Sequence, residues 1–137
     1  MSMLLEMPSA TAARPNRELL QERLSTVYDG LFALLKQQYR VADEGRVFAF
    51  LRRHSQLIPV LNEGRTAVSL FFGEETPVLL KVMRDPEIAG FEYLIAWVQT
   101  ALPPAEAVDR LMEMGDTWFS TRLDIVGDRL NFNLGVP

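Results

Sequence analysis

The stretch Phe91–Gln99 constrains this chain more than any other. Along an extended strand, successive side chains point to opposite faces. Phe91, Tyr93, Ile95 and Trp97 then point one way, and Leu94, Ala96 and Val98 the other. Both rows are apolar, which marks a central strand covered on both sides. If helices cover only one face, the aromatic row is left exposed and needs a partner. A chain of 137 residues suits a single domain. It can bury roughly 65–70% of its unfolded surface without staples.

The neighbouring segments supply the rest of a sheet. Pro77–Arg84 is rich in Val and Leu and reads as a second strand. The loop Asp85-Pro86-Glu87-Ile88-Ala89-Gly90 joins the two, so they are expected as antiparallel neighbours. Near the end, Arg122–Val126 and Arg129–Leu134 flank Gly127-Asp128, a two-residue turn favoured in hairpins. Leu130, Phe132 and Leu134 would face inward, with Asn131 and Asn133 outward.

Helical periodicity fills the remainder. From Asn16, a good N-cap, to Tyr39, the residues Leu20, Leu24, Val27, Leu31 and Leu34 recur at steps of four and three. Tyr28, Phe32, Leu35 and Tyr39 form an adjoining stripe. Together the stripes span roughly 160° of the helix, wider than one surface contact needs. Asp43 is expected to cap a second helix carrying Val47, Phe50, Leu51 and His54 on one face. Ser55 then caps a third, with Leu57, Leu61, Val68 and Phe72 inward and Gly73 as its stop. Gly64 weakens that helix, and a strand over Thr66–Phe72 is the rival reading. Helix is favoured because Ser69, Leu70, Phe71 and Phe72 do not alternate. A fourth helix starts near Pro103-Pro104, with Val108, Leu111, Met112, Gly115 and Trp118 or Phe119 inward. The expected fold is therefore α+β: an antiparallel sheet of three to four strands, with three to four helices packed mainly on one face. Residues 1–15, with small residues between Pro8 and Pro15, read as a flexible tail, and 16–137 as one domain.

Charge and missing motifs bound the function. The net charge of −4 argues against nucleic acid, whose binding depends on clustered Lys and Arg. There is no cysteine, which removes disulfides, thiolate nucleophiles and thiolate metal sites. No leader peptide and no run of roughly 20 apolar residues is visible, so no membrane is implied and the cytoplasm is the expected location. No phosphate loop, dinucleotide fingerprint or nucleophile elbow occurs. One histidine excludes any multi-His metal site, and no cofactor is indicated.

Three groups remain as candidates. Arg52-Arg53-His54 sits at a helix end, where cations favour the helix dipole, and as a functional site it would take an anion. Asp85 and Glu87 form an acidic loop that could hold a hard cation, although Asp and Pro are ordinary turn residues. Trp97, Trp118 and Phe119 could line a pocket, although such aromatics more often fill a core.

Four further pieces carry a resemblance: the run from Phe50-Leu51-Arg52-Arg53-His54 to Pro59, Arg84-Asp85-Pro86-Glu87, the run Ala101-Leu102-Pro103-Pro104 to Leu111, and Asp116-Thr117-Trp118-Phe119. Over about residues 50–133 the chain resembles a family of small uncharacterised bacterial α/β proteins. The family tends to have Ser-Pro-Glu-Glu where this chain has Pro103-Pro104-Ala105-Glu106. The resemblance implies a compact helix–strand–strand–helix domain and nothing catalytic. The expected function is a non-catalytic protein-interaction domain. It would be a homodimer or the partner of a neighbouring gene product, of antitoxin, immunity or adaptor type. Tyr28, Phe32, Tyr93 and Trp97 are the expected interface. The alternative is a small-molecule-binding or hydrolytic domain with a pocket near strand 91–99.

Overall fold

The computed structural model describes residues 3–137, with side chains from residue 16 onward. The tail expected over 1–15 lies outside the residues described in full. The chain divides into two compact units, Met1–Ala33 and Leu34–Pro137. The first unit belongs to one long helix, α1, which spans Met3–Gln38. Asn16 therefore lies inside a helix rather than capping it. Leu20, Leu24 and Val27 are all exposed on α1.

The second unit holds a four-stranded sheet in the order β1 (Arg40–Val41), β2 (Val78–Arg84), β3 (Glu92–Gln99) and β4 (Leu130–Gly135). As expected, β2 and β3 are antiparallel neighbours, with Val78 opposite Val98 and Arg84 opposite Glu92. The sheet is nevertheless mixed. β1 pairs parallel to β2, and β4 pairs parallel to β3 with Ala96 opposite Phe132. Parallel neighbours need a crossover. Helices α2 (Glu44–Arg53) and α3 (Leu57–Phe72) make the first, and α4 (Pro104–Thr117) contributes to the second.

The C-terminal hairpin is corrected by this topology. Phe119–Arg122 forms a 3₁₀ turn, and Leu123–Val126 a single helical turn, α5. Gly127 ends α5 at φ 53°, a conformation that favours glycine. The Gly-Asp turn thus joins a helix to a strand, and β4 finds its partner in β3 instead. Leu130 and Phe132 are buried and Asn131 and Asn133 exposed, as expected, while Leu134 is half-buried.

The helix caps also differ from expectation. Asp43 precedes α2 but makes no side-chain cap; its carbonyl accepts from the Arg46 and Val47 amides. Ser55 lies in the turn before α3, and Gln56 holds the cap position. Residues 66–72 are helical, and Gly73 ends α3 at φ 105°. On α4 the inward residues are Ala107 and Met114, while Val108 and Met112 are exposed. The helix is rotated by about one residue relative to the expected stripe, which leaves apolar surface outside.

Val78, Leu80 and Val82 lie on the same sheet face as Leu94, Ala96 and Val98, and all six are buried. Their cover includes α3, which approaches the sheet at Gly64. A Cβ built there would lie 2.6 Å from Cζ of Phe132 and 3.1 Å from the Trp118 ring. Gly64 therefore exists for close approach, at the cost of helix propensity. Tyr39 adds a tie, its hydroxyl donating to the Leu61 carbonyl at 2.6 Å. The reverse face carries Tyr93 and Trp97, both half-buried, beside Leu79 and Met83. The expectation of cover on both sides is met in part: Ile95 on this face is buried, while Tyr93 and Trp97 retain exposure.

Gly64→Ala tests the close approach. Alanine favours an isolated helix by about 1 kcal/mol, while overpacking a core typically costs ~1–3 kcal/mol. The variant is expected to melt at lower temperature by circular dichroism. An unchanged or higher Tm would show that the Phe132 ring yields freely.

Candidate functional site

Two strand ends and one helix face converge on a single carboxylate. Glu92 opens β3 and pairs across the sheet with Arg84, the last residue of β2. Arg46 and Arg53 stand seven residues apart on α2, two helical turns, and so share a face. Arg46 Nη2 reaches Glu92 Oε2 at 3.0 Å, and Arg53 Nη2 reaches Oε1 at 3.0 Å. Arg84 Nη2 lies 3.8 Å from Oε2. A fourth arginine, Arg129, donates from Nη1 to the main-chain carbonyl of Glu92 at 2.8 Å. Its guanidinium carbon sits 4.3 Å from the centre of the Phe91 ring, a cation–π arrangement.

These contacts shape the local titration. The hydrogen bond from Arg46 holds the Glu92 carboxyl below the usual carboxylate range; desolvation opposes this, and the charges of Arg46, Arg53 and Arg84 add to it. His54 packs on Phe50, with ring centres 4.5 Å apart. Burial lowers its pKa, and the charges of Arg129 and Arg53 lower it further. The imidazole is thus held toward its neutral form, not recruited as another cation for the helix dipole.

Of the three residues expected at an anion site, Arg53 and His54 belong to this cluster. Arg52 is an exposed residue of the same helical turn. Arg46, Arg84 and Arg129 were missed by sequence reasoning. The seven-residue spacing of Arg46 and Arg53 was a usable signal; nothing linear ties them to residues 84 and 129.

An open groove of 440 Å³ adjoins the cluster, and its lining includes Asp85, Ile88, Phe91, Tyr93, Phe119 and Asp128. Asp85 is committed to the loop: its Oδ1 accepts from the Glu87 amide at 2.7 Å and the Ile88 amide at 3.2 Å. This is the turn chemistry expected of Asp before Pro. Glu87 is exposed. Among the described residues, no three or more acidic or histidine side chains gather as a metal-holding group.

The aromatic candidates separate. Trp118, Phe119 and Phe132 form a ring cluster with centres 5.6–5.7 Å apart. Trp97 lies on the opposite sheet face from Phe132, being the neighbour in register of Asn133. Phe32 stacks with Tyr28 at 5.6 Å and is only 5% exposed, so it has little surface to offer a partner. A second ion pair ties α3 to the 3₁₀ turn. Arg122 grips both Glu63 oxygens, at 2.6 and 3.1 Å.

Among the described residues, no helix is long and apolar enough to cross a membrane. No family model, curated protein or solved structure matches the chain.

A pH profile tests the His54 environment. A histidine whose folded pKa lies below its ordinary 6.5 contributes stability above that pH. The contribution is lost as pH falls through the lower folded value. Melting temperature is expected to fall between about pH 7 and pH 5, and His54→Gln is expected to flatten that part of the profile. An equal slope in both proteins would contradict the assignment.

Proposed function

We propose that this chain is a non-catalytic protein-interaction module that pairs with a second copy of itself through the apolar stripe of α1. The observation that carries the reading is the exposure of Leu20, Leu24 and Val27, at 58%, 49% and 56%. Leu31 continues the row and is half-buried. Leu34, also exposed, extends it, and the steps of four, three, four and three from Leu20 to Leu34 average about 3.5 residues, the repeat that keeps an apolar seam facing a partner helix.

Such a seam is self-complementary. A two-fold pair presents the same row from both copies, so each leucine meets an apolar neighbour without requiring a different sequence opposite. Burying a large apolar side chain is worth roughly 1.5–3 kcal/mol. Three half-exposed residues from each of two copies supply a gain of the same order as the entropy of pairing. Tyr93 and Trp97, half-buried on the sheet, offer a second apolar surface.

A small-molecule reading is favoured by a different observation, the 440 Å³ groove with Phe91 and Tyr93 in its wall. Its size falls within the usual range for ligand pockets of about 300–1,000 Å³, but it is open rather than enclosed.

Leu24→Glu distinguishes association from core packing. The side chain is exposed in the single chain, so the substitution is expected to change stability by no more than about 0.5 kcal/mol. Light scattering is expected to show a dimer for the wild type and a monomer for the variant, with matching circular dichroism. A wild-type monomer at high concentration would overturn the proposal, as would a dimer that survives both Leu24→Glu and Val27→Glu.

A further inference from the structure

The arginine cluster holds far more cationic capacity than its structural task requires. The Glu92 carboxylate accepts one hydrogen bond each from Arg46 and Arg53, and a single guanidinium would balance its charge. Here three guanidinium groups lie within 4 Å of the Glu92 oxygens, and a fourth binds its carbonyl. The charge at the centre is four positive against one negative. This concentration occurs in a chain whose net charge is −4, so the cluster is a local reversal of the molecule's sign.

The geometry also leaves the cations accessible. The side chains of Arg46, Arg53 and Arg84 are 41%, 56% and 68% exposed, while that of Glu92 is 19% exposed. The carboxylate lies beneath and the guanidinium groups rise around it. Three points of attachment fix the ring: two turns of α2, the end of β2 and the turn before β4. Arg129 is further aligned by the Phe91 ring under it. Guanidinium donors held in place by fixed partners are what recognise a tetrahedral oxyanion, because planar forks supply paired N–H groups.

We propose that Arg46, Arg53, Arg84 and Arg129 form a binding site for a phosphate-class oxyanion, with the Glu92 carboxylate as the internal anion that orders the ring when the site is empty. The site is independent of α1 pairing, since every member lies within Leu34–Pro137. Asp85 and Asp128 in the neighbouring groove would repel an anion there. The phosphate group is therefore assigned to the arginines, and an uncharged body attached to it to the Phe91 ring on which Arg129 sits. Two sources share this chemistry, free inorganic phosphate and an organic phosphomonoester.

Calorimetric titration of the full chain with inorganic phosphate and with phenyl phosphate, at low and matched ionic strength, tests the proposal. Both probes are expected to bind, and binding is expected to weaken as salt is added. Arg84→Ala removes the most exposed arginine, the one with the longest contact to Glu92, and is expected to fold normally and lose about tenfold in affinity. Glu92→Gln removes the competing charge and is expected to bind phosphate more tightly. Tighter binding of phenyl phosphate than of inorganic phosphate would identify an organic monoester as the source; equal binding would identify the free ion. Absence of phosphate binding by the wild type would overturn the site, as would affinity unchanged in Arg84→Ala. Weaker binding in Glu92→Gln would overturn the role given to Glu92.

Discussion

Much of the second unit depends on the burial of one row of sheet side chains. Val78, Leu80 and Val82 on β2 align with Leu94, Ala96 and Val98 on β3, and Leu130 and Phe132 extend the row onto β4. Burial of these groups is the main favourable term in folding such a unit. It also dictates the topology. Both parallel connections include helices, and α3 approaches the row so closely that a Cβ at residue 64 would press on the Phe132 and Trp118 rings. Once that face is covered, the other face of β3 is left with half-buried aromatics.

The elements legible in the sequence were those decided locally. The β2–β3 pair could be read because two β-rich runs flank a loop whose Asp85 side chain accepts from the amides two and three residues on. The α3 helix could be read because residues 69–72 break alternation, and Gly73 ends it. The misreadings arose where tertiary contacts decided. Gly127-Asp128 is good hairpin chemistry, yet residues 123–126 form a helical turn and β4 pairs with β3, where Leu94 lies opposite Leu130. On α4, both Val108 and Ala107 are apolar, and only packing selects which turns inward. Of the arginine cluster, Arg53 and His54 were legible as a basic helix end. Their companions come from three other parts of the chain, which periodicity cannot join.

Two surfaces of different chemistry result. The exposed row on α1 is apolar and repeats at the period of paired helices, so its natural complement is another such row. The cluster around Glu92 is cationic and stands in an otherwise acidic chain, so its complement is an anion. Neither surface is needed to complete the core of the second unit. Sequence changes that alter association or ligand binding can therefore leave the fold in place.

The central claim is that α1 keeps its apolar row for a second copy of the chain. Amide hydrogen exchange along Leu19–Leu34, followed as a function of protein concentration, tests it most directly. A pairing helix frays less when its partner is present, so exchange there is expected to slow as concentration rises, while the β2 and β3 amides do not respond until global opening intervenes. Exchange along α1 that is the same at low and high concentration would contradict the account.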